Sequence, residues 1–336
     1  MSPAARAQLE VGLRDRKLQE ALRYWQRCEH PEHVTRIEYT VEIIESQSPG
    51  VDHAEANRIN DAGDMVGRYF RPGEFGTGFL RTASGVLHPL DMNRPMSINQ
   101  SGIIVGYNQV RAADGLEYLH AMMCRVVSCR VVPGASSALP WPTACGAALA
   151  INSENRIVGV TSQSGSIAAF DQGLLVDLTS ANKLADIVMP TPCVLSTAPY
   201  GLNDAGYNPY LGGLVVGDFY DNAMTRQGFE FDDNGYRAVT RSGARAVHLR
   251  GVNNRREVVG FEVVPNPADQ MHKKSISQGL LCRCGQPFSY SQLGDAATTL
   301  VDAPEFNGIN QGSQIVGSFA GKRGVTRGFV ATPKVS

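Results

Sequence analysis

The chain has 336 residues, enough for one or two domains by length alone. Its 31 basic and 32 acidic residues nearly cancel to a formal net charge of −1, with no basic run, which argues against a nucleic-acid partner. Gly supplies 35 residues and charged residues only 19%, a balance that suits turn-rich β structure, and no apolar run of about 18 residues is present to span a membrane.

Residues 4–29 read as a helix, because Leu18, Leu22 and Trp25 recur at helical spacing with Arg and Glu on the other faces. Such a helix is either a dimerisation or partner element, or packs on the side or end of the following domain. The first residues, Met1-Ser-Pro-Ala-Ala-Arg, lack the apolar core of a signal peptide, so a cytoplasmic location is expected. Residues 30–35, with Pro31, form a linker. Arg36-Ile-Glu-Tyr-Thr-Val-Glu-Ile-Ile-Glu45 then alternates polar and apolar residues, as a half-buried strand does.

From Arg58 onward one phrase returns six times: a short apolar run, an Asn, variable residues, then Val-Gly. Examples are Arg58-Ile-Asn-Asp-Ala-Gly-Asp-Met-Val-Gly67, Ser97-Ile-Asn-Gln-Ser-Gly-Ile-Ile-Val-Gly106 and Gly308-Ile-Asn-Gln-Gly-Ser-Gln-Ile-Val-Gly317. The Asn residues are 60, 99, 152, 203, 253 and 310, a period of 39 to 57 residues. The Asn-to-Gly spacing is seven in five copies and fourteen in the copy starting at Gly201, as though Tyr207 to Gly213 were inserted. A period of about 40–50 residues with strand-like phrases points to four-stranded propeller blades. The first strand ends at the Asn, a turn follows whose Asn and Gly tolerate positive φ, and the Val-Val-Gly run is the second strand. A third strand is expected at Thr77-Gly-Phe-Leu80, His120-Ala-Met-Met123, Ala168-Ala-Phe170, Gln227-Gly-Phe229, Gln278-Gly-Leu-Leu281 and Arg327-Gly-Phe-Val330. A fourth is expected after a turn, as in Gly85-Val-Leu-His-Pro-Leu90 and Gly173-Leu-Leu-Val-Asp-Leu178.

The last copy ends after its third strand, whereas residues 36–45 have no blade of their own. The predicted fold is therefore all-β: a six-bladed β-propeller over residues 36–336, closed by the N-terminal strand, with a helical extension and linker at 1–35. The alternative is an open solenoid with a free edge strand.

These phrases resemble the HAF-type repeat, a bacterial propeller-like repeat of the form Gly-Ile-Asn-x-x-Gly-x-Val-Val-Gly followed by His-Ala-Phe. The resemblance spans residues 58–330, and the second phrase keeps its His only at His120. It implies a fold and no defined reaction. Many proteins with such repeats carry export signals, and this N-terminus departs from them.

In a propeller the innermost strands converge on the axis. Aligned on the Asn, the residues five upstream are Glu55, Arg94, Ala147, Ala198, His248 and Glu305; three upstream they are Asn57, Met96, Leu149, Tyr200, Arg250 and Asn307. The residue just before each Asn is Ile, Leu or Val, plain core. The upstream columns should be equally buried, yet most members are polar, and burying charge is costly unless it is paired or faces a wet cavity. Either an axial pocket or a plug of ion pairs, Glu55 or Glu305 with Arg94 or Arg250, satisfies this. In the pocket reading, His248, Tyr200, Glu55 and Glu305 are catalytic candidates, His248 foremost because its ordinary pKa lies near neutrality. Arg94, Arg250, Asn57, Met96 and Asn307 would bind substrate, the guanidiniums holding an anionic or carbonyl oxygen. Long loops at 107–118, 130–144, 179–193 and 261–276 are expected on the same end.

Seven cysteines, at 28, 124, 129, 145, 193, 282 and 284, show neither a disulfide framework nor a zinc pattern, so free thiols and no metal are expected. Nucleotide-binding and hydrolase motifs are absent from the sequence. The expected function is a cofactor-independent cyclase, isomerase or lyase acting on a small molecule at the axis. The alternatives are a propeller binding module for a glycan, peptide or protein, or a purely structural role. Because the inner columns differ from blade to blade, one axial site fits better than six equivalent ones.

Overall fold

The computed structural model describes residues 38–45, 53–111, 117–127, 130–131, 137–138, 146–161, 172–178, 182–187, 194–204, 213–266, 269, 274–283, 286–289, 300, 303–321 and 324–334. Among the described residues there is no α-helix; the helix read at 4–29 and its linker lie outside them.

The strands form small antiparallel sheets of sequential strands. Strand β1 (Tyr39–Ile44) comes first in the chain and belongs to the last sheet. Strands β2 (His53–Ile59), β3 (Met65–Phe70), β4 (Thr77–Arg81) and β5 (Leu87–Leu90) make one sheet. The next holds β6 (Arg94–Ile98), β7 (Ile103–Arg111) and β8 (Glu117–Val127), with the short β9 (Arg130–Val131) and β10 (Ser137–Ala138) both on β8. Then come β11 (Gly146–Ile151), β12 (Arg156–Thr161), β13 (Gln172–Asp177) and β14 (Asn182–Ile187). Another sheet is β15 (Val194–Leu202), β16 (Val215–Asp221), β17 (Arg226–Asp232) and β18 (Gly235–Val239). It is followed by β19 (Ala246–Val252), β20 (Val258–Pro265), β21 (Ser275–Arg283) and β22 (Gln286–Ser289). The last consists of β23 (Glu305–Ile309), β24 (Ile315–Ala320), β25 (Thr326–Pro333) and β1.

Strand β1 pairs antiparallel with β25, from Tyr39 opposite Pro333 to Ile44 opposite Gly328. The alternating pattern of 36–45 explains this: Tyr39 (1% exposed), Val41 and Ile43 share one apolar face while Thr40 and Glu42 face solvent, and Ile44 (4%) is buried on the opposite face toward the first sheet. Each sheet packs on its neighbours through a buried apolar cluster. One such cluster joins first and last sheets through Ile44, Ala56, Phe79, Val316 and Val330. The sheets thus follow one another as propeller blades do.

The repeated Asn residues form a hydrogen-bonded ring. Asn60 Nδ2 donates to Asn99 O, Asn99 to Asn152 O, Asn152 to Asn203 O, Asn203 to Asn253 O, Asn253 to Asn310 O, and Asn310 back to Asn60 O, at 2.9–3.4 Å. Each Asn Oδ1 also accepts the N–H that opens its own second strand, such as Asp64 N at 2.9 Å. One side chain therefore closes its turn and ties one sheet to the next. The residue three after the Asn has positive φ, as Gly63 (89°), Gly102 (71°), Asn155 (62°), Arg256 (59°) and Ser313 (58°).

The Gly of each Val-Gly has its own reason. Gly67, Gly217 and Gly317 stand opposite Phe79, Phe229 and Phe329 of the third strand. A Cβ on Gly67 would lie 2.0 Å from Glu55 O and 2.6 Å from Phe79 Cζ, so only Gly admits the ring there.

Several boundaries differ from the sequence expectation. Gly173–Leu178 is a third strand, not a fourth, because β13 pairs directly with β12; Ala168–Phe170 lies outside the described residues. Its Gln172-Gly-Leu phrase places Leu174 opposite Gly159, where the other sheets put Phe, Leu or Met. Residues 107–111 and 117–118, expected as loop, continue the β7–β8 ladder to Arg111 opposite Glu117. Likewise 182–187 is the strand β14, and 261–265 continues β20.

Candidate functional site

Each innermost strand carries a β-bulge at the same place. The ladders skip a residue between Ala56 and Arg58, Pro95 and Ser97, Ala148 and Ala150, Pro199 and Gly201, Leu249 and Gly251, and Phe306 and Gly308. The skipped residues are Asn57, Met96, Leu149, Tyr200, Arg250 and Asn307, the whole column three before the Asn. A bulge re-aims a side chain and breaks the alternation of the strand. All six of these residues line one axial cavity of about 190 Å³, together with Glu55, Arg58, Arg94, Tyr107, Glu305 and Ser318.

The cavity has two unlike walls. Met96, Leu149, Tyr107 and Tyr200 pack with Leu119, Ala147 and Val160 into an apolar cluster from the second, third and fourth sheets. Opposite them stand Arg250, Glu305, Asn307, Glu55 and Asn57 from the fifth, sixth and first sheets.

The column five before the Asn pairs with the residue that follows each Val-Gly: Glu55 with Arg68, Arg94 with Tyr107, Ala147 with Val160, Ala198 with Asp218, His248 with Phe261, Glu305 with Ser318. Glu55 takes a two-point bond from Arg68 at 2.7 and 3.1 Å. Glu305 accepts from Ser277 Oγ at 2.9 Å. Neither carboxylate makes the ion pair with Arg94 or Arg250 that a plug would require; Glu55 is held by Arg68 on its own sheet and Glu305 by Ser277 on the preceding one. Asn57 Nδ2 donates to Pro95 O at 2.8 Å and Asn307 Nδ2 to Ala56 O at 3.0 Å, so these two amides also join adjacent inner strands.

His248 does not line the cavity, contrary to the sequence expectation. Its ring stacks on Phe261 at 4.4 Å, and Nδ1 donates to Asp218 Oδ2 at 2.7 Å. Asp218, 1% exposed, draws it aside and also meets Arg226 Nε at 3.3 Å and Arg250 Nη1 at 3.5 Å. Burial, joined by the charges of Arg250 and Arg226, holds the His248 pKa below its ordinary value against the raising effect of Asp218. Burial alone would raise the Asp218 carboxyl; Arg250, His248 and Arg226 outweigh it and hold the carboxyl below its usual range. Arg250 lies over the Tyr200 ring at 3.7 Å. Burial opposes its charge, but Tyr200, Asp218 and Glu305 keep its pKa above the ordinary value. Burial lowers the Arg94 pKa and raises that of Tyr107.

Arg58, Tyr107, Asp218 and Arg68 were not singled out from the sequence. The last three occupy the position after Val-Gly, where a column of Arg, Tyr, Val, Asp, Phe and Ser is visible in the repeat. Arg58 occupies a column that is otherwise Ser97, Ala150, Gly201, Gly251 and Gly308. Its guanidinium spans the axis to Tyr200 O (2.5 Å), Arg250 O (3.2 Å) and Asn307 O (3.3 Å). A Cβ on Gly251 would lie 2.6 Å from Arg58 Nη1, so the small residues facing it make its seat. Arg58 floors the cavity and borders a second, smaller one of about 60 Å³ on the Asn-ring side. Burial and Arg250 lower its pKa to about 10.

Among the described residues, neither Cys124 nor Cys282 is in a disulfide. No grouping of three or more metal-ligating side chains occurs among the described residues.

No family model matches this chain, and no curated protein is similar to it in sequence. Solved structures similar in fold include a glucose dehydrogenase, at 11% identity and TM-score 0.48, covering 88% of this chain and 100% of that one. A mutant of AofleA from Arthrobotrys oligospora is similar at 10% identity and TM-score 0.43, over 89% of this chain and 85% of that one. The Dos1 propeller is similar at 8% identity and TM-score 0.36, over 80% and 74%.

Proposed function

We propose that the chain is a six-bladed propeller of HAF-type repeats, closed by β1, and that its axial cavity is the site of a cofactor-independent enzyme. The enzyme would take one small molecule and promote a cyclisation, isomerisation or elimination. The observation that carries this reading is the set of six bulges, which turn five different kinds of side chain into one cavity. Such a set makes one asymmetric site.

Reactions of this class need orientation and placed donors. The Tyr107 and Tyr200 hydroxyls are the proton or hydrogen-bond donors. Glu305 is the acceptor. Arg250, braced by Asp218 from behind, stabilises negative charge developing on a substrate oxygen. The volume accommodates about eight non-hydrogen atoms, scaling from a cavity of about 150 Å³ that holds benzene.

The withdrawal of His248 from the cavity favours a second reading, a non-catalytic binder of the same molecule. The two separate by incubating the protein with a small-molecule extract of its source organism and following masses. An enzyme converts one compound into an isomer, or into a product lighter by an eliminated group. Tyr107→Phe combined with Tyr200→Phe should slow that conversion about a hundredfold or more. Capture of a compound unchanged supports the binder. Turnover unaffected by the double variant refutes the assigned site.

A further inference from the structure

Resting on the reading of the axial cavity as a ligand site, we infer that its ligand is a small monocarboxylate whose anionic head is held by Arg94. The charges around the cavity do not balance. Its carboxylates are already engaged, Glu55 with the two-point bond from Arg68 and Glu305 with Ser277. Of its cations, Arg250 faces Asp218 at 3.5 Å and Arg58 is bonded to three backbone carbonyls. The Arg94 side chain has no hydrogen-bond or ion-pair partner among the described residues, and its buried Nε is unsatisfied.

The fold itself does not ask for a charge at this position. The same register position is Ala147 and Ala198 in the next two sheets. An unpaired cation that is partly buried is costly, and burial does lower the Arg94 pKa. A bound anion would remove that cost. One uncommitted guanidinium matches one negative charge, and its planar fork suits the two oxygens of a carboxylate. The apolar wall of Met96, Leu149 and Tyr200 then takes the body of the ligand.

Isothermal titration of the full chain with benzoate, benzamide and inorganic phosphate tests this. Benzoate should bind at least tenfold tighter than benzamide, and tighter than phosphate. Arg94→Met should abolish that preference without changing benzamide affinity. The same variant should melt at or above the wild-type temperature, because an unpaired, partly buried charge has been removed; a structural cation would lower it. Arg94→Lys, which keeps the charge but loses the fork, should weaken benzoate at least threefold, and carries the test if the Met variant does not fold. Equal affinity for benzoate and benzamide, or a preference that survives Arg94→Met, overturns the carboxylate assignment while leaving the cavity a ligand site. Tighter binding of phosphate overturns it in favour of a phosphoryl ligand. If no probe binds, the carboxylate assignment and the reading of the cavity fall together.

Discussion

Replacing Asn152 by Ala tests whether the Asn ring holds the blades together. Asn152 is 5% exposed. Its Oδ1 accepts the N–H groups of Glu154 at 3.1 Å and Arg156 at 2.9 Å, and its Nδ2 donates to Asn203 O at 3.1 Å. Truncation removes all three bonds and leaves the Arg156 N–H and the Asn203 carbonyl without these partners in a confined space. A buried bond is worth about 1 kcal/mol net, and a stranded partner costs about 1–3 kcal/mol. The expected loss is about 3 kcal/mol. For a chain of 336 residues the unfolding entropy is about 0.7 kcal/mol/K, so the melting midpoint should fall by about 4 °C. Asn152→Asp keeps the acceptor but sets an anion against the Asn203 carbonyl, and should cost at least as much. Val86→Ser, at a residue 52% exposed, serves as control and should change stability by less than about 0.5 kcal/mol. The assay is scanning calorimetry. If Asn152→Ala melts within 1 °C of wild type, water or backbone adjustment replaces the ring bonds and the reasoning fails.

Removing residues 1–45 deletes β1 and should destabilise the entire domain, since it bares β25 and the two apolar clusters that bury Tyr39 and Ile44; an unchanged melting temperature would show that β1 does not close the domain. Because burial depresses the folded-state pKa of His248, the unfolded chain takes up a proton below about pH 6.5 that the folded one refuses. Stability should therefore fall as pH drops from 6.5 toward the folded pKa, and His248→Gln should flatten that slope in pH-dependent denaturant titrations. Burial pushes the Cys282 thiol up to about 12, so iodoacetamide at pH 8 should leave it unmodified in folded protein and label it in urea; native labelling, mapped by mass spectrometry, would contradict this environment.

The strand-turn-strand phrase was legible because its causes recur in every copy. Each Asn must close its own turn and reach the next, and each Val-Gly must admit a large side chain from the third strand. Repeated constraints leave repeated letters. The alternation of 39–44 likewise shows a strand that buries one face, and Tyr39, Val41 and Ile43 bury it, while Ile44 on the other face packs toward the first sheet. Alternation misleads at the axis. By a period of two, Asn57 and Tyr200 share a face with the core positions Ile59 and Leu202. The bulge inserts one residue in every inner strand and sends the whole column into the cavity.

Partner choice was the other thing that only tertiary structure decided. Glu55 and Arg68 are cross-strand neighbours thirteen residues apart, a local pairing open to a reader of hairpins. Asp218 with His248 joins two sheets across 30 residues, and Arg58 with Tyr200 crosses the axis across 142. Each occurs once, so no period announces it. The repeat encodes what every blade must do alike; the site is made from what each blade does differently, and those differences acquire partners only when the sheets surround one axis.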